Sequence, residues 1–202
     1  MIPSSTLSII MNIVPMVLLF AVVAILLRVV VASYNKEKIH VFSEFKILMY
    51  LLYLFVLFQL VTTTDLQSFS NNFTPFKEIM RYEVSSPLFW RNVIGNILIF
   101  APFGYLITDV IWMFSKHRNI FISLAFTILT SCSIESIQMF IGRSFDIDDI
   151  ILNSLGGLVG YITFVIIKKL LKDEGLLVNI IKFILFIGMM AGICFWVYTA
   201  II

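Results

Sequence analysis

The side chains able to do chemistry gather in the middle of this sequence. Asn92 and Asn96 stand four apart in RNVIGN, Glu135 and Gln138 three apart in IESIQ, and Asp146, Asp149 and Asn153 fall at i, i+3 and i+7 in SFDIDDIILNSLGG. Each spacing puts its members on one face of a helix. A carboxylate held away from water is a candidate general acid or base, which makes Glu135 the candidate catalytic residue. Carboxylates one turn apart, as in Asp146 and Asp149, can give two oxygens to a divalent cation such as Mg²⁺ near a pyrophosphate. Arg91 and Arg143 flank the set with forked donors suited to phosphate. The same residues have structural uses: Asp148 and Asp149 suit the first turn of a helix dipole, Ser144 or Asp146 can cap it, and Asn and Gln can tie helices together.

The elements that must position these groups are membrane helices. Of 202 residues, 60% are hydrophobic and only 13% charged, and the mean hydropathy is +1.04, whereas soluble domains are about a quarter charged. An all-α polytopic bundle is expected, with about six spans at 9–31, 45–63, 92–114, 119–141, 149–167 and 177–202, each near the roughly 20 residues that a bilayer core demands. MIPSSTLS lacks a basic n-region, and the apolar run after it is too long for a cleavable h-region, so that run is expected to remain a membrane helix. The organisation expected is an N-terminal anchor and basic loop over 1–44, a helical membrane domain over 45–170 and a last helix over 171–202. Cys132 and Cys194 lie in apolar runs and are expected to pack as small hydrophobes. In the long connection 65–90, Thr74 and Pro75 form a cap and first-position pair, Phe76, Ile79 and Met80 follow at helical spacing, and Pro87 ends the pattern. This predicts a short amphipathic helix lying in the interface, with Trp90 as a belt residue.

Counting Lys and Arg orients the bundle. Arg28, Lys36, Lys38, Lys46, Lys116, Arg118, Lys168, Lys169, Lys172 and Lys182 fall on one side, and Lys77, Arg81, Arg91 and Arg143 on the other. The ten-residue side is cytoplasmic by the positive-inside rule, and both termini are then outside. Arg28 is expected to snorkel from the inner end of its span. At 1.5 Å per residue, Asn96 lies about 8 Å below the outer surface, Glu135 about 9 Å, Gln138 about 5 Å and Asn153 about 6 Å. Four polar side chains from three consecutive spans thus share one layer. A carboxylate facing lipid costs roughly 2.5–3.5 kcal/mol, so Glu135 should turn inward to a partner, with Asn96, Asn153 and a headgroup-level arginine as candidates. Gly156, Gly157 and Gly160 allow a neighbouring helix to approach closely. The stretches 96–107 and 153–164 both begin with Asn and carry a Gly-Tyr, a weak hint of a repeat.

Four pieces in order, NNFTPF (71–76), RNVIGNILIFAPFG (91–104), IESIQ (134–138) and FDIDDIILNSLGGLVGY (145–161), make the sequence resemble the VanZ family of bacterial membrane proteins over about residues 48–170. The resemblance implies an association with resistance to glycopeptide antibiotics, above all lipid-tailed teicoplanin, and maps recurrent polar positions to Asn96, Glu135, Gln138, Asp146, Asp149 and Asn153. It implies residence in the bacterial plasma membrane. Three classes of function follow: an outer-face binding protein holding a lipid-linked peptidoglycan precursor or a lipoglycopeptide, an intramembrane enzyme on a lipid-linked substrate, or a small transporter or flippase. Against the enzyme, there is no nucleophile paired with a base, no HExxH and no phosphate-cradling glycine loop. No cofactor is expected beyond a divalent cation under the enzyme reading, and the partners expected are membrane lipid and lipid-borne ligands rather than nucleic acid.

Overall fold

A computed structural model describes residues 4–36, 41–62, 70–115, 117, 119–170 and the single positions 175, 180, 181, 184 and 188. Among them the protein is helical: α1 (Ser4–Asn35), α2 (Val41–Thr62), α3 (Pro87–Phe89), α4 (Gly95–Ser115), α5 (Ile120–Phe140) and α6 (Ile147–Leu170). Four segments are long and apolar enough to cross a membrane: Leu18–Asn35, Pro87–Trp112, Ile120–Phe140 and Ile147–Leu170. The 45–63 span expected from hydropathy corresponds to α2, and the one expected over 177–202 lies outside the described residues.

The chain divides into two compact units, one built on α1 and α2 and the other on the residues from 65 onward. In the first, Phe20 of α1 stacks on Phe55 of α2 at 5.1 Å between centroids. Arg28 is paired within this unit: its Nε and Nη2 donate to the two carboxylate oxygens of Glu44, in the first turn of α2, at 2.6 and 2.7 Å. A forked ion pair lets an arginine sit in an apolar helix without leaving its charge unmatched.

The second unit is a three-helix core. α4 and α6 run parallel and touch backbone to backbone, because their contact positions are glycines. A Cβ on Gly160 would lie 2.0 Å from the Ala101 carbonyl oxygen, one on Gly104 2.1 Å from that of Gly157, and one on Gly156 2.4 Å from that of Ile97. No side chain fits in such gaps, so the small-residue face read from the sequence is the seam of the bundle. Gly160 of the second Gly-Tyr pair packs against Gly104 and Tyr105 of the first. α5 lies against this pair through buried hydroxyls, Ser123, Thr127 and Ser131. They fall four apart, so one face of α5 carries them. Thr127 returns its hydroxyl to the Ser123 carbonyl at 2.9 Å, and the Thr108 hydroxyl of α4 contacts Ser123 Oγ at 3.2 Å. Asn119 starts α5 by accepting from the N–H groups of Phe121 and Ile122.

The connection before α3 departs from expectation. Residues 74–87 do not form one amphipathic helix: a turn precedes a single 3-10 turn over Ile79–Arg81, and Phe76 takes φ +66°, a left-handed conformation that breaks any helix. Pro87 begins a helix instead of ending one, at its first position, with Ser86 Oγ accepting from Phe89 N–H. α3 leads through a π-helical turn, Trp90–Ile94, into α4, so the third expected span starts about one turn early.

Candidate functional site

The beginnings of α4 and α6 and the end of α5 meet at one end of this core, and the expected polar layer lies among them. Glu135 sits on α5 one turn above Ser131 and is 1% exposed. Its Oε2 accepts the backbone N–H of Asp146 at 3.0 Å. None of the three partners expected for Glu135 donates this bond. Asn96 donates its amide to Asp149 Oδ1, and Asn153 donates to Ser131 Oγ at 2.9 Å. Arg143, the candidate arginine, lies on the turn that joins α5 to α6. Arg143 reaches this position on a tight turn: Gly142 takes φ +88°, and Arg143 N–H bonds the Gln138 carbonyl at 2.9 Å. Gln138 is buried beside it.

Asp146 joins the rim of the site to its floor. Its Oδ1 accepts the N–H of Asp148 at 2.9 Å, which makes it the cap of α6. The same oxygen accepts Asn72 Nδ2 at 2.8 Å. Burial raises the Asp146 carboxyl above its usual range; the bonds from Asp148 N–H and Asn72 oppose that rise, and the charges of Asp148 and Glu78 add to it.

Asn71 and Asn72, which sequence reasoning left out of the site, bring the 70–86 segment down onto this rim. Asn72 and Asp146 form a parallel bridge, with Asn72 N–H on the Phe145 carbonyl at 2.8 Å and Ile147 N–H on the Asn72 carbonyl at 3.0 Å. The Asn71 side chain accepts Phe145 N–H at 2.9 Å, and Phe73 stacks on Phe145 at 5.3 Å. The signal was in the sequence as the NNF of the first motif, two adjacent asparagines whose amides can each serve a neighbouring strand-like backbone.

Asp148 does a different job from its neighbours. It is 1% exposed, and its carboxylate takes the N–H groups of Phe76, Glu78 and Ile79, the last two at 2.7 and 3.2 Å. It therefore supplies the cap of the 75–81 turn that the sequence pattern assigned to Thr74. A carboxylate with three N–H donors is a satisfied buried anion.

Two expected members stand apart. Arg91 is exposed and Asn92 half-buried on the π-helical turn, and no described hydrogen bond joins either side chain to the carboxylates. The wide turn closes on a bond from Gly95 N–H to the Trp90 carbonyl. One inserted residue is about 100° of helical rotation, so the i, i+4 relation of Asn92 to Asn96 does not carry over. As for a metal, Asp146 and Asp149 are each engaged by amide donors, and among the described residues no three His, Cys, Asp or Glu side chains are grouped to hold an ion.

What remains is a set of carboxylates, buried Glu135 with half-buried Asp146 and Asp149, bonded by the Asp146 N–H and two asparagine amides where the beginnings of α4 and α6 meet the end of α5. A family model described as VanZ/LLP1 matches residues 45–168, which contain all of them. The chain belongs to the VanZ/LLP1 family. It is similar to Protein VanZ of Enterococcus faecium, with 28% identity over 130 residues, 64% of this chain and 71% of that protein. No solved structure matches it. The matched segment of this VanZ/LLP1 member starts within α2 and ends two residues before α6 does, so the anchor helix α1 lies outside it.

Proposed function

We propose that this VanZ/LLP1 protein acts at the outer face of the bacterial plasma membrane to lower susceptibility to lipid-tailed glycopeptides such as teicoplanin. It does so by holding a lipid-linked cell-wall precursor, or the antibiotic itself, at the polar site of Glu135, Asp146, Asp149, Asn96 and Arg143. The observation that carries the reading is the burial of Glu135 at a helix end, bonded to Asp146, which is tied in turn to the 70–86 segment through Asn72. An ionisable group kept inside a span at a cost of a few kcal/mol is retained for function or for a specific partner. The family membership supports the resistance link, and the excess of Lys and Arg counted on the other side of the expected six-span topology supports the outward orientation. The backbone contacts between α4 and α6 favour a fixed binding site over a transport path between these two helices.

The test is teicoplanin and vancomycin susceptibility of a sensitive host expressing the protein or its Glu135→Gln form at matched membrane levels. Protection selective for teicoplanin and lost in Glu135→Gln is the expected result. Equal protection by both forms would remove the polar site from the mechanism, and protection by neither would remove the function.

A further inference from the structure

The 70–86 segment turns its polar atoms inward and its large apolar side chains out. Inward, Asn71, Asn72 and the N–H groups of residues 76, 78 and 79 are consumed by Phe145, Asp146, Ile147 and Asp148. Outward, Met80 is 81% exposed, Val84 69% and Phe73 65%, and Phe76, Leu88 and Trp90 are about half exposed. Six large apolar groups on one connection exceed what a water-facing loop carries, and scattered surface apolar residues do not explain a contiguous set.

Phe76 adds an independent sign. A bulky residue at φ +66° costs about 1–2 kcal/mol, and the conformation is fixed by its N–H on Asp148 while its ring stays half exposed. The fold therefore imposes a strained backbone and still leaves the ring outside. What covers the ridge is indicated by what it continues. Leu88 and Trp90 lead directly into α4, whose Leu98 is exposed, and Phe140 and Ile141 are exposed at the end of α5, the end that meets the start of α6. Lys77 and Arg91 are exposed on the same stretch, and Arg81 is paired with Glu78 at 3.1 Å. Apolar groups bordered by cations, in register with the end of membrane helices, match a phospholipid interface of acyl chains and phosphates.

We infer that residues 73–90 form an interfacial keel, immersed in the leaflet on the side of the polar site, with phospholipid as its occupant. The keel does not depend on the proposed antibiotic function. Its polar inner side is bonded to Asp146, so the rim of the site is held at the depth of the headgroups.

The test uses the full chain with Cys132 and Cys194 replaced by alanine, reconstituted into phosphatidylethanolamine and phosphatidylglycerol bilayers, with nitroxide labels at Met80→Cys or at Glu83→Cys. Collision with oxygen, which concentrates in lipid, is compared with collision with a water-soluble nickel chelate. The expected result is an oxygen-to-nickel ratio several-fold higher at 80 than at 83, with position 80 about 5–10 Å below the headgroup boundary. Equal ratios would overturn the proposal, and a label at 80 shielded from both reagents would replace lipid with a protein partner or a second copy. If the label at 80 prevents folding, Trp90 reports instead: with Trp112 and Trp196 changed to phenylalanine, brominated phospholipids should quench most of its emission, and unquenched emission would refute immersion.

Discussion

Replacing Asp148 by asparagine changes one oxygen for an NH₂, with almost no change in volume, at the point where α6 supports the 75–81 turn. The wild-type carboxylate accepts from Phe76 on one oxygen and from Glu78 and Ile79 on the other. Asparagine can serve only one of these sides, and on the other its NH₂ faces a backbone donor. The smallest loss is one bond to a charged acceptor, about 1.5 kcal/mol, together with a buried donor left unmatched, about 1–3 kcal/mol. About 3 kcal/mol of local stability is therefore removed. At 1.36 kcal/mol per factor of ten, the turn opens roughly a hundredfold more often. Amide hydrogen exchange on the reconstituted protein reads this directly, because exchange through local opening scales with the opening constant. The amides of residues 76, 78 and 79 should exchange about a hundredfold faster in Asp148→Asn, while those of α5 near Thr127 keep their protection. Unchanged exchange at the three amides would refute the assignment of Asp148 as their cap. A uniform rise through α4, α5 and α6 would show instead that Asp148 holds the bundle and not the turn.

Other perturbations separate the remaining interactions. Gly160→Val drives a side chain into the Ala101 carbonyl, 2.0 Å from the added Cβ, and should abolish monodisperse protein in detergent by size-exclusion chromatography. Gly142→Ala meets open space but a φ of +88°, and should lower stability by only about 1 kcal/mol in a denaturant titration. Because the folded Asp146 carboxyl is raised by burial, the native state binds its proton more tightly than the unfolded chain does. Its contribution to stability is therefore fully present at low pH and is lost as pH rises from the ordinary carboxylate range through the raised folded value. Protection of the Asp148 amide, corrected for intrinsic exchange, should fall over that window in the wild type and be flat in Asp146→Asn. A double-mutant cycle on Arg28→Gln and Glu44→Gln should give a coupling of about 1 kcal/mol for the partly buried forked pair, read from thermal unfolding in detergent.

Hydropathy and local spacing were enough to find the core of this unit and its polar end. The helices α4, α5 and α6 announce themselves as apolar runs, and the glycines of α6 lie on the face that meets α4 because a 3.6-residue period is visible in one dimension. Depth along the expected spans placed Asn96, Glu135, Gln138 and Asn153 in one layer but could not pair them. Asn96 reaches Asp149 across 53 positions, and Asn153 finds Ser131 across 22, on a helix whose serines look like ordinary small residues. The 74–87 error has the same origin. Thr74 and Pro75 form a good local start signal, but the donors of this turn are taken by Asp148, some 70 residues later, and that contact wins over local propensity. The π-helical turn was equally hidden, since one i+5 bond leaves no mark in composition.

Under the proposed function, the distribution of bonds around Asp146 decides how the site would respond to a ligand. Its N–H serves Glu135, and its Oδ1 serves both Asn72 and the first turn of α6. Floor, helix cap and overlying segment therefore share one residue, and a group that draws the Glu135 carboxylate away must leave the Asp146 N–H without its acceptor. That penalty is about 1–3 kcal/mol unless the incoming group replaces the oxygen. A ligand that brings its own acceptor, such as a phosphate or a carbonyl, can restore the bond, and a ligand presenting only donors cannot. Selection at this site should thus favour ligands with an acceptor placed for the Asp146 N–H and a donor for Glu135. Arg143 puts a guanidinium on the adjoining turn, and a positive charge there would make an anionic acceptor the stronger of the two.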